Sequence, residues 1–216
     1  MKISTVILAG GKGRRFGGEK ITQVINGETL LERVVRVVSS ISEQLILSLA
    51  PGQTAPELNQ AAKTLEVVDL YPDKGALGGI YTGILCSKFS HNLVVAADMP
   101  LLNLSLLEYM IDICPDYDVT VPRIGGYAEP LHAVYSKNCL GPIQAAFCKG
   151  EFQIIAFFNS VNVRWIQEDE IDCFDPDHLS FFNVNTQNDL KLARLAMECS
   201  SEVAQDRSDR KGKNCP

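Results

Sequence analysis

Between Leu8 and Ile21 the chain reads Ala9-Gly10-Gly11-Lys12-Gly13-Arg14-Arg15-Phe16-Gly17-Gly18-Glu19-Lys20, with five glycines in nine consecutive positions. Glycines let a backbone approach a ligand closely and turn successive N–H groups towards a phosphate chain. Lys12, Arg14, Arg15 and Lys20 bring up to four positive charges to the same loop. Two readings compete, a polyphosphate pocket and a flexible basic surface loop, and the agreement of glycines, charge and position after the first strand favours the pocket. Two familiar phosphate loops do not fit. A Walker loop ends in Gly-Lys-Ser/Thr, whereas Gly13 and Gly18 have its gap but lead into Glu19-Lys20-Ile21. A dinucleotide fingerprint needs G-x-G-x-x-G; Gly11 and Gly13 begin one, but Phe16 stands in the third place.

Asp98 follows the apolar run Asn92–Ala97 and precedes Pro100, at the carboxyl end of a strand. A carboxylate there can hold Mg²⁺ through one oxygen while waters and phosphate oxygens complete the octahedron. The competing reading is a turn or cap aspartate ahead of the helix near Leu104. Asp69 ends the run from Leu65, where a solvated strand-end carboxylate competes with one that reads a ligand. His132 sits on an otherwise apolar strand and on its own reads as a core histidine. Asn183 and Asn185 alternate along a segment read as a strand and so face one side; with Thr186 they either meet a ligand or cap the last helix. No Ser/His/Asp or Cys/His constellation is present. An attacking phosphate, already anionic, would need none.

Positioning these groups requires a framework, and the apolar pattern supplies one. Ser4–Leu8, Gln44–Leu49, Leu65–Leu70, Asn92–Ala97 and Asp118–Val121 read as strands. Helical patterns fall at Leu30–Val38, Gly78–Ser87, Leu104–Cys114 and, weakly, Pro56–Lys63. Strands separated by helices run parallel, and near-continuous apolar strands suit a sheet covered on both faces. The expected fold is therefore α/β, a doubly wound, mostly parallel sheet. After Pro122 the rhythm loosens into strands Leu131–Tyr135 and Val161–Ile166, a helix Pro142–Lys149, and a last helix from Gln187 to Glu198 capped by Thr186. Residues 1–198 read as one domain and 199–216 as a polar, flexible tail.

Composition narrows the partners. The 216 residues are 46% hydrophobic and carry 20 Lys+Arg against 26 Asp+Glu, a net charge of −6. That balance argues against nucleic acid. No run of about 18 apolar residues suggests a membrane span, and the short apolar start does not read as a signal peptide. The expectation is a cytoplasmic protein. Seven scattered cysteines without a C-x-x-C pair read mostly as small buried residues of a reduced protein; Cys86, Cys148, Phe152, Phe157 and Phe158 are expected in the core or under helices.

Several separated motifs together resemble a known family. They are the Gly-rich loop with Lys20, Ile25-Asn26-Gly27-Glu28-Thr29-Leu30-Leu31, Gly75-Ala76-Leu77-Gly78-Gly79-Ile80, Ala97-Asp98-Met99-Pro100, Glu129-Pro130-Leu131-His132-Ala133-Val134-Tyr135 and Phe182-Asn183-Val184-Asn185-Thr186. The loop resembles nucleotidyltransferases in general; the set, over about residues 4 to 196, resembles the MobA-like molybdenum cofactor guanylyltransferases. That resemblance implies a Rossmann-like nucleotidyltransferase fold whose N-terminal half binds NTP and whose C-terminal half binds a pterin. It implies transfer of GMP from GTP to molybdopterin with Mg²⁺ on Asp98, and transient contact with cofactor-accepting apoenzymes. The implied catalytic residues are Lys20, Arg15 and Asp98. Leu8, Ala9, Gly10, Gly11, Lys20, Ser48, Asp69, Gly75, Gly78 and Asp98 would line the nucleotide, and His132, Asn183 and Asn185 the pterin. Ser48 departs from the asparagine common in the family at this place. Two alternatives stay open: a related transferase for another nucleotide or acceptor (a cytidylyl or sugar-phosphate enzyme), and a non-catalytic cofactor-delivery module.

Overall fold

The computed structural model describes residues 1–10, 20–58 and 64–198. Among the described residues ten strands occur: Ser4–Leu8 (β1), Val24–Ile25 (β2), Glu28–Thr29 (β3), Gln44–Leu49 (β4), Thr64–Val68 (β5), His91–Ala96 (β6), Val119–Ile124 (β7), Tyr127–Ala128 (β8), His132–Ser136 (β9) and Val163–Ile166 (β10). Interleaved are helices Leu30–Ser39 (α1), Ala76–Cys86 (α2), Leu104–Ile113 (α3), Leu140–Lys149 (α4), Glu168–Asp172 (α5) and 187–198 (α6).

The main sheet runs in the order β10-β7-β9-β6-β1-β4-β5, with β8 attached to β7. Its central strand β1 is parallel to both β4 and β6, and Leu8 is in register with Ser48 on one side and Ala96 on the other. The chain thus builds outward from β1 through β4 to β5 and then returns to the opposite side at β6. This reversal is a topological switch point, the crevice where open α/β sheets take ligands. Residues after β1 and β6 emerge there together: Ala9 and Gly10 donate N–H to Ser48 O at 2.9 and 3.1 Å, and Ala97 N donates to Leu8 O at 3.0 Å.

The strands are apolar on both faces because both are covered. Ile7, Leu93, Val95 and Val134 pack with the apolar sides of α1 and α3, whereas Val6, Val94, Ala133 and Tyr135 pack with those of α2 and α4. Neighbours along each strand alternate between the two clusters, as a period of two demands. Helix α1 shows the local logic: Leu31, Val34, Val35 and Val38 recur at helical spacing and are buried, and Thr29 with Glu32 closes a capping box at its start. The β2–β3 hairpin turns on Asn26-Gly27, both at positive φ. Its Ile25, with Leu30, meets Val184, Leu190 and Ala193 in a third cluster, which docks α6 against the N-terminal part of the chain.

The sheet is mostly parallel, as expected; strand β9 is antiparallel to β6 and β7, because the chain reaches it through the β7–β8 turn and not through a helix. Three expectations need correction. Residues 182–185 form no strand; Asp175 accepts from Leu179 N at 3.1 Å and Ser180 N at 2.8 Å, starting a 3₁₀ turn over Leu179–Phe181 in its place. Residues 56–58 of the expected weak helix carry no regular structure, and 59–63 lie outside the described residues, as do the loop 11–19 and the tail 199–216. Finally, of the described cysteines only Cys114 and Cys139 are buried, while Cys86, Cys148 and Cys173 are exposed. Helix ends tolerate such small residues on the outer face. Phe157 and Phe158 are core residues as expected, but Phe152 lies exposed beneath Lys74 Nζ, 4.0 Å from its ring centre.

Candidate active site

Three segments far apart in sequence meet at the carboxyl edge of β1 and β6. Lys20 opens the 3₁₀ turn Lys20–Thr22, anchored by buried Ile21. Asp98 follows β6, and Asn185 precedes α6. Lys20 Nζ forms an ion pair with Asp98 Oδ2 and donates to Asn185 Oδ1 at 2.7 Å. Between Lys20 and Asp98 the side chains are only 17% and 22% exposed, so this pair is screened less than a surface pair.

The second carboxylate oxygen of Asp98, Oδ1, is buried and has no hydrogen-bond partner among the described residues. A buried anionic oxygen without a donor is costly unless a cation or ligand serves it. That suits Mg²⁺, which prefers hard oxygen, needs only one or two carboxylates, and completes its octahedron with water and phosphate. The described residues contain no cluster of three or more His, Cys, Asp or Glu groups able to hold a metal alone. A metal brought in with a triphosphate therefore fits this site better than a protein-caged one.

Asp69, after β5, lies two strands beyond β1 along the same edge. Its backbone N–H donates to Leu49 O at 2.8 Å, and its Oδ1 accepts from Tyr71 N at 2.8 Å. Thr82 Oγ1 lies 3.3 Å from the same oxygen and accepts from Leu70 N at 3.0 Å. The start of α2 presses on this turn: a Cβ on Gly78 would stand 2.2 Å from Tyr71 O and 3.0 Å from both Asp69 carboxylate oxygens. Only glycine allows that approach. Gly75, at φ +62°, ψ −152°, leads the chain into α2 in a conformation that also favours glycine.

Ser48 is buried and donates to Gly79 O at 3.4 Å. Its hydroxyl braces β4 against α2. Leu8 is half-buried and packs near Gly79; Ala9 is buried, with its carbonyl held by Gln53 Nε2 at 3.1 Å. Gly10 stands at the mouth of the site, whereas Gly11 and Arg15 lie outside the described residues.

On the acceptor side the three expected residues separate. Asn185 joins the site through Lys20. Asn183 turns its Nδ2 to Phe181 O at 3.3 Å, so the two asparagines do not share a strand face. His132 is wholly buried, its ring centre 4.7 Å from that of Phe181. Neither ring nitrogen has a partner among the described residues, and burial pulls its pKa down to about 3. It is a neutral core residue packed on Phe181, the reading its apolar strand suggested on its own. Sequence reasoning missed Thr82, Gln53 and Asp189. For Asp189 a signal existed, the Thr186-x-x-Asp189 spacing of a helix start; for Gln53 and Thr82, whose contacts cross between strands and helices, none did.

A mostly parallel sheet that gathers a lysine, a lone carboxylate and an amide at its switch point, in a chain whose first strand leads into a glycine-rich cationic sequence, has the layout of a nucleotidyltransferase. The MobA-like NTP transferase domain matches residues 5–163, and the chain belongs to that family. A probable molybdenum cofactor guanylyltransferase of Pelotomaculum thermopropionicum is 36% identical over 93% of this chain and 96% of its own length. The molybdenum cofactor guanylyltransferase of Desulfosudis oleivorans is 33% identical over 91% of this chain and 96% of its own. Among solved structures, molybdopterin-guanine dinucleotide biosynthesis protein A from Archaeoglobus fulgidus superposes with a TM-score of 0.76 at 28% identity, covering 92% of this chain and 99% of that one.

Proposed function

We propose that this protein transfers GMP from GTP to the terminal phosphate of molybdopterin, releasing pyrophosphate and forming a guanine dinucleotide cofactor. The observation that carries the reading is the convergence of Lys20, Asp98 and Asn185 at the switch point. Family membership and the named relatives support the same chemistry.

The acceptor phosphate attacks the α-phosphorus of GTP in line with the departing pyrophosphate. It is anionic already, so the protein's task is orientation and neutralisation of charge. Asp98, through its unpartnered Oδ1, would hold Mg²⁺, which when bound draws charge from the phosphate oxygens. Lys20 directs its ammonium at the α-phosphate while Asp98 and Asn185 restrain it on two sides. Gly10, its own N–H held by Ser48 O, leaves room for the β- and γ-phosphates to approach the backbone; Gly11 and Arg15 are assigned to the leaving pyrophosphate, the one through its N–H and the other through its charge. Leu8 and Ala9 form the floor of that pocket. Asp69, its carboxylate fixed by Tyr71 N, accepts from guanine N1–H and N2–H₂, a donor pair adenine lacks; Gly75 and Gly78 let the backbone lie alongside the base. Asn185 faces the incoming pterin phosphate. The N-terminal half thus serves the nucleotide and the C-terminal half the acceptor.

The protein would act in the cytoplasm and pass its product to apoenzymes in transient contacts. No helix among the described residues is long and apolar enough to cross a membrane. The test is incubation with molybdopterin, Mg²⁺ and each NTP in turn, following pyrophosphate release. Release with GTP alone is expected. Preference for CTP or UTP would remove the guanylyl assignment, and binding of GTP and molybdopterin without pyrophosphate release would reduce the protein to a delivery module.

A further inference from the structure

Asp189 has no place in the reaction as assigned above, yet it holds the backbone of Asn185, which does. It occupies the third position of α6, where a capping-box acid normally reaches back to the N–H of the cap residue itself. Half of that arrangement is present: Thr186 Oγ1 accepts from Asp189 N at 3.2 Å. The carboxylate also feels the Thr186 backbone N–H, and it extends the arrangement to the residue before the cap. Asp189 Oδ2 accepts from Asn185 N at 2.9 Å, and Asn185 Oδ1 in turn accepts from Lys20 Nζ at 2.7 Å. The carboxyl of Asp189 is held below its ordinary range chiefly by the Asn185 N–H, then by the Thr186 side chain and backbone, and last by the charge of Lys20.

Asn185 needs such a holder. It is exposed and lies in a segment outside any strand or helix, tied to the sheet next door by Val184 N on Asp98 O at 2.9 Å. Lysine itself carries a compact charge on a flexible stem with little directional preference of its own. Its aim is set by its acceptors, and one of those acceptors is set by Asp189.

We propose that Asp189 is a positioning residue: by fixing the Asn185 backbone it keeps Asn185 Oδ1 on Lys20, so that the ammonium is aimed from two sides and not from Asp98 alone. The catalytic consequence rests on the guanylyl-transfer reading; the restraint on Lys20 does not. Removing Asp189 therefore lowers kcat and leaves the KM for GTP nearly unchanged, because the phosphate and base contacts remain.

The test compares Asp189→Ala, Asp189→Asn, Asn185→Ala and the double variant Asp189→Ala/Asn185→Ala. Asp189→Ala is expected to lower kcat about tenfold with GTP KM within about threefold, and Asp189→Asn, which keeps an acceptor oxygen, to recover kcat to within about threefold. In the Asn185→Ala background Asp189→Ala has no further effect, as residues acting through one another are non-additive. A reading without substrates accompanies it: reductive methylation of Lys20 by formaldehyde and borohydride, followed by peptide mass spectrometry, runs at least threefold faster in Asp189→Ala than in the wild type or Asp189→Asn. Should Asp189→Ala fail to fold, Asp189→Ser replaces it, since its hydroxyl is too short to reach Asn185 N. Wild-type kcat and methylation in the folded variant, or additive effects of the two substitutions, or an Asp189→Asn no better than alanine, each overturn the proposal. Faster methylation with no guanylyl transfer by the wild type leaves the restraint standing and defeats the functional reading alone.

Discussion

Val184 donates its backbone N–H to the carbonyl of Asp98 at 2.9 Å, so the segment that carries Asn185 is bonded to the residue that ends β6. The link joins the last third of the chain to the nucleotide edge of the sheet. It explains how Lys20 can touch an aspartate and an asparagine from such distant places.

Replacing either member of the ion pair tests the site. Lys20→Ala removes the cation assigned to the α-phosphate; Asp98→Ala removes the carboxylate whose Oδ1 has no partner among the described residues. Loss of an electrostatic stabiliser of this kind typically costs on the order of 10²–10³ in rate. Pyrophosphate release is expected to fall by that factor in each variant, with a cooperative unfolding transition retained. Wild-type-like turnover by either folded variant refutes the assigned role.

Asp69→Asn addresses base choice. Asparagine keeps an oxygen for Tyr71 N, the 2.8 Å bond that shapes the turn, but it replaces one guanine acceptor by a donor. A mispaired polar group in a recognition site costs on the order of 1–3 kcal/mol. The ratio of kcat/KM for GTP over ATP is therefore expected to fall about tenfold or more while the melting temperature changes little. An unchanged ratio would show that the base is read elsewhere.

The parts of the fold legible in the sequence are those fixed by local pattern. β1, with its apolar Val6-Ile7-Leu8, needs burial on both faces, and it has it. The start of α6 was readable in Thr186. What escaped was decided by partners distant in sequence. Residues 181–185 look like a strand by alternation, but the Asp175 carboxylate winds the chain into a turn just before them. His132 has the same residue type whether it faces a ligand or a core; only the presence of Phe181 across from it decides. The bond of Ser48 to Gly79 is equally invisible in the sequence, since Gly79 belongs to a helix that packs there from another part of the chain. Lys20 and Asp98 could be singled out by chemistry, whereas their bond to Asn185 could not.

Gly78→Ala isolates the close approach of α2 to the Asp69 turn. The added Cβ would meet Tyr71 O at 2.2 Å, and a backbone carbonyl cannot step aside as a flexible side chain can. Overpacking of this kind costs about 1–3 kcal/mol, which outweighs the helix preference of alanine over glycine, roughly 1 kcal/mol. Denaturant midpoints are expected to fall without a change in slope, together with weaker GTP binding as the turn shifts. A variant as stable as the wild type would mean that α2 starts farther from Tyr71.

The acid limb of the stability curve should carry the mark of His132. Its ring is wholly buried among apolar groups, which holds its pKa at about 3 against an ordinary 6.5. Between those values the unfolded chain binds a proton that the folded chain refuses. Stability contributed by the neutral ring is therefore fully present above about pH 6.5 and is lost as pH falls towards 3, with a slope approaching about 1.4 kcal/mol per pH unit. Denaturant unfolding at a series of pH values reads that slope directly. His132→Leu fills a similar space, removes two buried nitrogens that have no partner among the described residues and abolishes this proton uptake. The variant is expected to be at least as stable as the wild type near neutrality and to lose less stability between pH 6.5 and 4. If both proteins weaken equally over that range, His132 is not the group that binds the proton.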